Sequence, residues 1–148
     1  MIDHSQNSIN TQYNSRVAYY ILNISFMAII MAILLYSAFY KQNNHPIPAL
    51  LTEKTGIIPP SKGLSASFSE IVRGNFSEAK NLNSHSLRIF SFFAVQIILR
   101  VLAIIAAKKD WFPINRIATI DISISTILFV VCFDPLIEFT LKLFAQLL

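Results

Sequence analysis

Hydrophobic positions in this chain gather into long runs separated by short polar stretches. From Val17 to Tyr40 the sequence reads VAYYILNISFMAIIMAILLYSAFY, 24 residues without Asp, Glu, Lys or Arg. At the helical rise this run covers roughly 36 Å, enough to cross a hydrocarbon core of about 30 Å with some tilt. Tyr19 and Tyr20 at one end, and Tyr36 and Tyr40 at the other, stand where amphipathic rings favour the headgroup level. The 16 residues before the run are polar and contain Arg16 as their sole Lys or Arg. They therefore read as a polar tail (1–16), and the run (17–40) as a retained anchor rather than a cleaved signal peptide, whose first residues would be positive.

Two further runs follow. Ser86 to Ala107, SLRIFSFFAVQIILRVLAIIAA, is long enough to span but carries Arg88, Gln96 and Arg100, and Ile114 to Val131, INRIATIDISISTILFVV, holds Asp121. Such groups are costly against lipid, so both helices are expected to turn a polar face towards protein. The connector 108–113, Lys-Lys-Asp-Trp-Phe-Pro, is short and basic, and it joins the two spans as an antiparallel hairpin. After Asp134-Pro135 the chain ends on LIEFTLKLFAQLL, too short to cross a bilayer. The segment 132–148 reads as an amphipathic helix along the interface, with continuation of the third span beyond a proline kink as the other possibility.

Between the first two spans, residues 41–85 form more than a linker. Pro59-Pro60-Ser61-Lys62-Gly63 is a turn, and Leu64, Phe68, Ile71 and Val72 then recur at helical spacing until Arg73-Gly74-Asn75 breaks the pattern. Asn75 is a capping residue for a second short helix, Phe76 to Leu82. The expected architecture is thus an all-α integral membrane protein. It has three transmembrane helices and short amphipathic surface helices in the first loop and at the C-terminus.

Composition agrees with lipid as the solvent. Hydrophobic residues make up 54% of the 148 positions, charged residues 14%, and the mean hydropathy is +0.54. Soluble domains carry charge on about a quarter of their residues. The net charge of +4 comes from Lys and Arg scattered singly or in pairs, with no basic stripe, so nucleic acid is rejected as a partner. Lys108, Lys109 and Arg116 cluster at span ends, which places the connector and the N-terminus on the cytoplasmic side under the positive-inside rule.

Candidate chemistry is sparse. Cys132 is the sole cysteine, and His4, His45 and His85 have no ligand spacing, so no metal, cofactor or dithiol site is expected. Arg100 and Asp121 each lie about ten residues from the middle of the connector. In an antiparallel hairpin they reach one depth, roughly 10 Å inside the span ends, with Gln96 nearby. The pair reads as a proton or ion relay or as a structural lock, with an Arg100 that snorkels to the headgroups and never pairs as the third possibility. Ala28 and Ala32, with Ser25 on a nearby face, give the first span a small-residue spacing that can serve as a docking seam.

The loop residues Pro60, Gly63, Leu64, Ser65, Gly74, Asn75, Ala79 and Asn83 fall in an order that resembles the small bacterial membrane proteins of domain-of-unknown-function family 2752. The resemblance covers residues 58–100. The family pattern has cysteines at Pro59 and Lys62, Arg at Ala66, Thr at Ser65, Asp or a similar polar residue at Asn75, and Pro at Ser84. The resemblance implies a shared scaffold in a bacterial cytoplasmic (inner) membrane protein, while any thiolate chemistry of the family is lost here. With no nucleophile, base and orienting group in reach of one another, the chain reads as a non-catalytic accessory or scaffold subunit of a larger membrane complex, partnered by the bilayer and by other subunits. A redox or metal-dependent factor, or an oligomeric small transporter, are the competing readings.

Overall fold

A computed structural model of the chain describes residues 2–39 and 57–147, with side chains over 13–39 and 57–145. Tyr40 and the first part of the loop, 41–56, including His45, lie outside the described residues, as does the side chain of His4. Among the described residues all regular structure is helical: α1 (Ile2–Phe39), α2 (Leu64–Val72), α3 (Phe76–Leu82), α4 (Ser86–Lys108) and α5 (Ile114–Leu147). Stretches of α1, α4 and α5 are long and apolar enough to cross a membrane: Tyr13–Phe39, Ser86–Lys108 and Ile114–Ala145. The chain is a multi-pass membrane protein, with the short helices α2 and α3 between its first two spans.

Two boundaries differ from the hydropathy reading. The polar stretch 1–16 is not a separate tail: α1 begins at Ile2, since no Pro or Gly interrupts the residues up to Phe39. The end of the chain is not a separate interfacial helix either. Residues 132–147 continue the third span as one 34-residue helix with Pro135 inside it. Pro135 has no N–H for the carbonyl of Val131, yet one missing bond does not end a helix whose flanks are held. Phe133 and Leu136, on either side of the proline, both pack against the apolar cluster of Phe68, Ile71, Ala79 and Ile89.

The spans alternate in direction. Arg16, at the head of the first span, pairs with Asp110 in the connector, so the start of the first span and the α4–α5 turn share one end of the bundle. Asp110 adopts a left-handed backbone (φ 53°), a conformation that Asp tolerates better than most residues. At this end Tyr19 packs with Ala103, Ala107, Ile114 and Ile117, where the alanines let the helices approach closely.

At the opposite end α2 and α3 fold back on the spans. Phe68 meets Phe90 and Phe93 edge-on, with ring centroids 5.3 and 5.8 Å apart. Phe92 and Phe133 lie 5.2 Å apart, which fastens α4 to α5, and Phe129 stacks on Phe133 within α5 at 4.7 Å.

Candidate functional site: a polar cluster inside the bundle

Each long helix brings one pair of polar residues four positions apart into the same place: Tyr19 and Asn23 from α1, Gln96 and Arg100 from α4, Asp121 and Ser125 from α5. Residues at i and i+4 lie on one helix face, so three such pairs meet wherever the three faces meet. Arg100 is the hub. Its Nη1 donates to Asp121 Oδ2 at 2.7 Å and to Asn23 Oδ1 at 3.1 Å, and its Nη2 to Ser125 Oγ at 2.6 Å and Gln96 Oε1 at 3.0 Å. Tyr19 donates its hydroxyl to the same Asp121 Oδ2 at 2.9 Å, and Ser125 Oγ donates to Gln96 Oε1 at 3.3 Å.

The charged pair of the cluster is buried. The side chains of Arg100 and Asp121 are 10% and 7% exposed, and Asn23 is 1% exposed. Opposite charges at one depth in an antiparallel hairpin attract strongly where the dielectric is low, and each lone charge there is costly. Asn23 adds a fixed dipole: its Nδ2 donates to the carbonyl of Tyr19 at 2.9 Å, which leaves Oδ1 facing the guanidinium.

Two members carry a weaker signal in the sequence. Tyr19 does not stand at the headgroup level with its hydroxyl outward; it is buried and turned onto Asp121. Asn23 is the sole amide of the first run, and it lies seven and fourteen residues before Ile30 and Ser37, the other buried positions further along that helix. That spacing marks a single inward edge of the helix. It also explains Ser25, Ala28 and Ala32, which stay exposed on other faces of α1 and form no seam with the other described residues. The helix has one rotation, and the polar partners of Arg100 set it.

The loop motif forms a separate structural unit. Asn83 Nδ2 donates to the carbonyls of Pro60 (2.7 Å) and Lys62 (2.9 Å), and its Oδ1 accepts from the backbone N–H of His85 at 2.9 Å. Gly63 has φ 76°, and a Cβ there would lie 2.6 Å from the carbonyl oxygen of Leu82. Ala79 is fully buried, and its carbonyl accepts from Ser67 Oγ (2.9 Å) and Ser86 Oγ (3.2 Å). Pro60, Gly63, Ala79 and Asn83 thus form one clasp, while Leu64 packs on the apolar cluster beneath and Ser65 is exposed. Asn75 holds the position before α3 without capping it by its side chain; the amide instead donates to Glu70 Oε2 at 2.7 Å, across the Gly74 turn (φ 85°).

Among the described residues no group of His, Cys, Asp or Glu is placed to hold a metal ion. No protein-family model, curated protein or solved structure matches the chain.

Proposed function

We propose that the chain is a non-catalytic subunit of a larger membrane assembly, with the Arg100–Asp121 cluster as a pin that sets the rotation and depth of three helices. The observation that carries this reading is the division of α1 into two edges. The Asn23, Ile30 and Ser37 edge is consumed inside the chain, while the Ser25, Ala28 and Ala32 edge has the small side chains of a helix docking face and remains exposed. A pinned α1 presents that second edge in a fixed orientation, as a scaffold requires. The ion pair is a lock rather than a relay in this reading. Its hydrogen bonds run sideways from helix to helix, and beyond Tyr19 no further ionisable group among the described residues bonds to the Arg100–Asp121 pair to carry a proton onward.

The same reading assigns the chain to the inner membrane of a bacterium, with the N-terminus and the α4–α5 turn on the cytoplasmic side. It treats the 58–100 segment as the scaffold of the resembling family without its cysteines. The clasp supports this, since Pro60, Gly63, Ala79 and Asn83 all serve turns and packing. Purification from native membranes in mild detergent tests the proposal. A defined partner that is retained by the natural chain and lost from an Ala28→Leu/Ala32→Leu variant is the expected result. A monomer that runs alone, or a partner indifferent to those two positions, overturns it.

A further inference from the structure

Beside the polar cluster, α1, α4 and α5 line a half-open cavity of about 420 Å³. Pockets that hold small molecules span about 300–1,000 Å³ and combine apolar walls with a few polar groups. Phe26, Phe92, Phe93 and Phe129 supply aromatic walls here, and Gln96, Arg100, Ser125 and Thr126 supply the polar ones.

The hydrogen-bond inventory of that polar wall is lopsided. Gln96 Oε1 already accepts twice, from Arg100 and Ser125, and the Ser125 hydroxyl both accepts and donates. The donors are not exhausted. The amide Nε2 of Gln96 is buried without a hydrogen-bond partner, in a residue 5% exposed. Both hydrogens of Arg100 Nη1 and both of Nη2 are engaged, which leaves the fifth guanidinium hydrogen, on Nε, unassigned. Thr119 and Thr140 return their hydroxyls to backbone carbonyls one turn back, but Thr126 makes no such bond among the described residues. Gln96 Nε2 has no accessible surface, so the donors that a molecule in the cavity can reach are Arg100 Nε and the Thr126 hydroxyl.

Charge narrows the class further. Arg100 is balanced by Asp121 at 2.7 Å, so an anion entering the cavity would meet no net positive charge while losing its own hydration. The Arg100 guanidinium carbon lies 5.9 Å from the centre of the Phe26 ring, which brings a flat apolar face up to the donors. We propose that this cavity binds a neutral apolar molecule carrying a carbonyl oxygen, a lipid-soluble ketone or quinone by chemical class, with the carbonyl turned to Arg100 and Thr126 and the hydrocarbon among the phenylalanines. A lipid acyl chain fills the same space but leaves every one of those donors unpaired. The site is independent of the assembly reading, because it is built within one chain.

Benzophenone provides the test, being an apolar ketone that cross-links to neighbouring C–H bonds under near-ultraviolet light. The full-length protein in phosphatidylcholine nanodiscs is irradiated with it, and the labelled peptides are read by mass spectrometry. Labelling is expected to concentrate on cavity residues such as Ile30, Ile33 and Phe92. Dicyclohexyl ketone is expected to suppress it at roughly tenfold lower concentration than dicyclohexylmethane, the worth of about one to two hydrogen bonds. Thr126→Val, which keeps shape and removes one hydroxyl at an exposed position, is expected to narrow that preference without changing thermal stability. Labels distributed over lipid-facing residues such as Ile24 and Val131 in proportion to their exposure overturn the proposal. So does equal competition by ketone and hydrocarbon, which marks the cavity as acyl-chain space.

Discussion

Tyr19 and Asp121 are 102 positions apart in sequence, and the hydroxyl of one donates to Oδ2 of the other at 2.9 Å. The same oxygen receives Arg100 at 2.7 Å, so a single carboxylate oxygen joins all three long helices. Tyr19→Phe removes one of its two donors and leaves the charge pair intact. The expected loss is about 0.5–1.5 kcal/mol, read as a lower midpoint in detergent unfolding, with no change in helix content.

Removing either charge has a larger effect. Asp121→Ala strands a buried guanidinium, and a loss of roughly 3–5 kcal/mol is expected. Arg100→Met combined with Asp121→Leu removes both charges and should unfold later than either single replacement. Charge reversal gives a stricter check of direct pairing. If Arg100→Asp is tolerated no better alongside Asp121→Arg than alone, the two side chains do not depend on each other.

The two glycines of the loop are expected to respond differently. Gly63→Ala meets both a left-handed φ of 76° and the Leu82 carbonyl oxygen 2.6 Å from the new Cβ. It should open the clasp and speed proteolysis at the Pro59–Gly63 turn. Gly74→Ala meets only the backbone penalty of about 1–2 kcal/mol, because the space around it is empty. Comparable protease half-lives for the two variants would contradict this account of the clasp.

Topology is testable with single cysteines in a Cys132→Ala background. Lys109→Cys and Ser15→Cys lie at the end of the bundle defined by the Arg16–Asp110 pair, and Ser61→Cys lies at the other. A membrane-impermeant maleimide added to sealed vesicles should label the first two from one side and the third from the opposite side. Labelling of Lys109→Cys and Ser61→Cys from one side would rule out alternating spans.

Length, hydropathy and the short connector made the helical class, the spans and the Arg100 and Asp121 depth match readable in the sequence, since each follows from rise per residue alone. Tyr19 was not readable, because a tyrosine at the head of an apolar run has two favourable sites and only the packed neighbour decides between them. Asn23 was readable in principle from its seven-residue spacing to Ile30, but in a run without charge Ser25 and Ala32 repeat at the same spacing and mark a second edge equally well. Ala28 and Ala32 have a docking spacing that says nothing about whether the partner is this chain or another. Pro135 broke the pattern on paper and not in space, because Phe133 and Leu136 anchor the helix on both of its sides.

The three-helix polar cluster also has a consequence for how the protein is made. Tyr19 and Asn23 leave the ribosome long before Arg100 and Asp121, so α1 enters the bilayer with its amide and phenol unmatched by the later partners. The hairpin arrives second, carrying two charges that lipid resists, and finds in α1 a prepared hydrogen-bonding edge. If the helices insert in chain order, the first span offers the other two a hydrogen-bonding edge already in place. A chain stalled after α4 would hold Arg100 without its carboxylate, and that intermediate is the one a membrane quality-control protease should recognise.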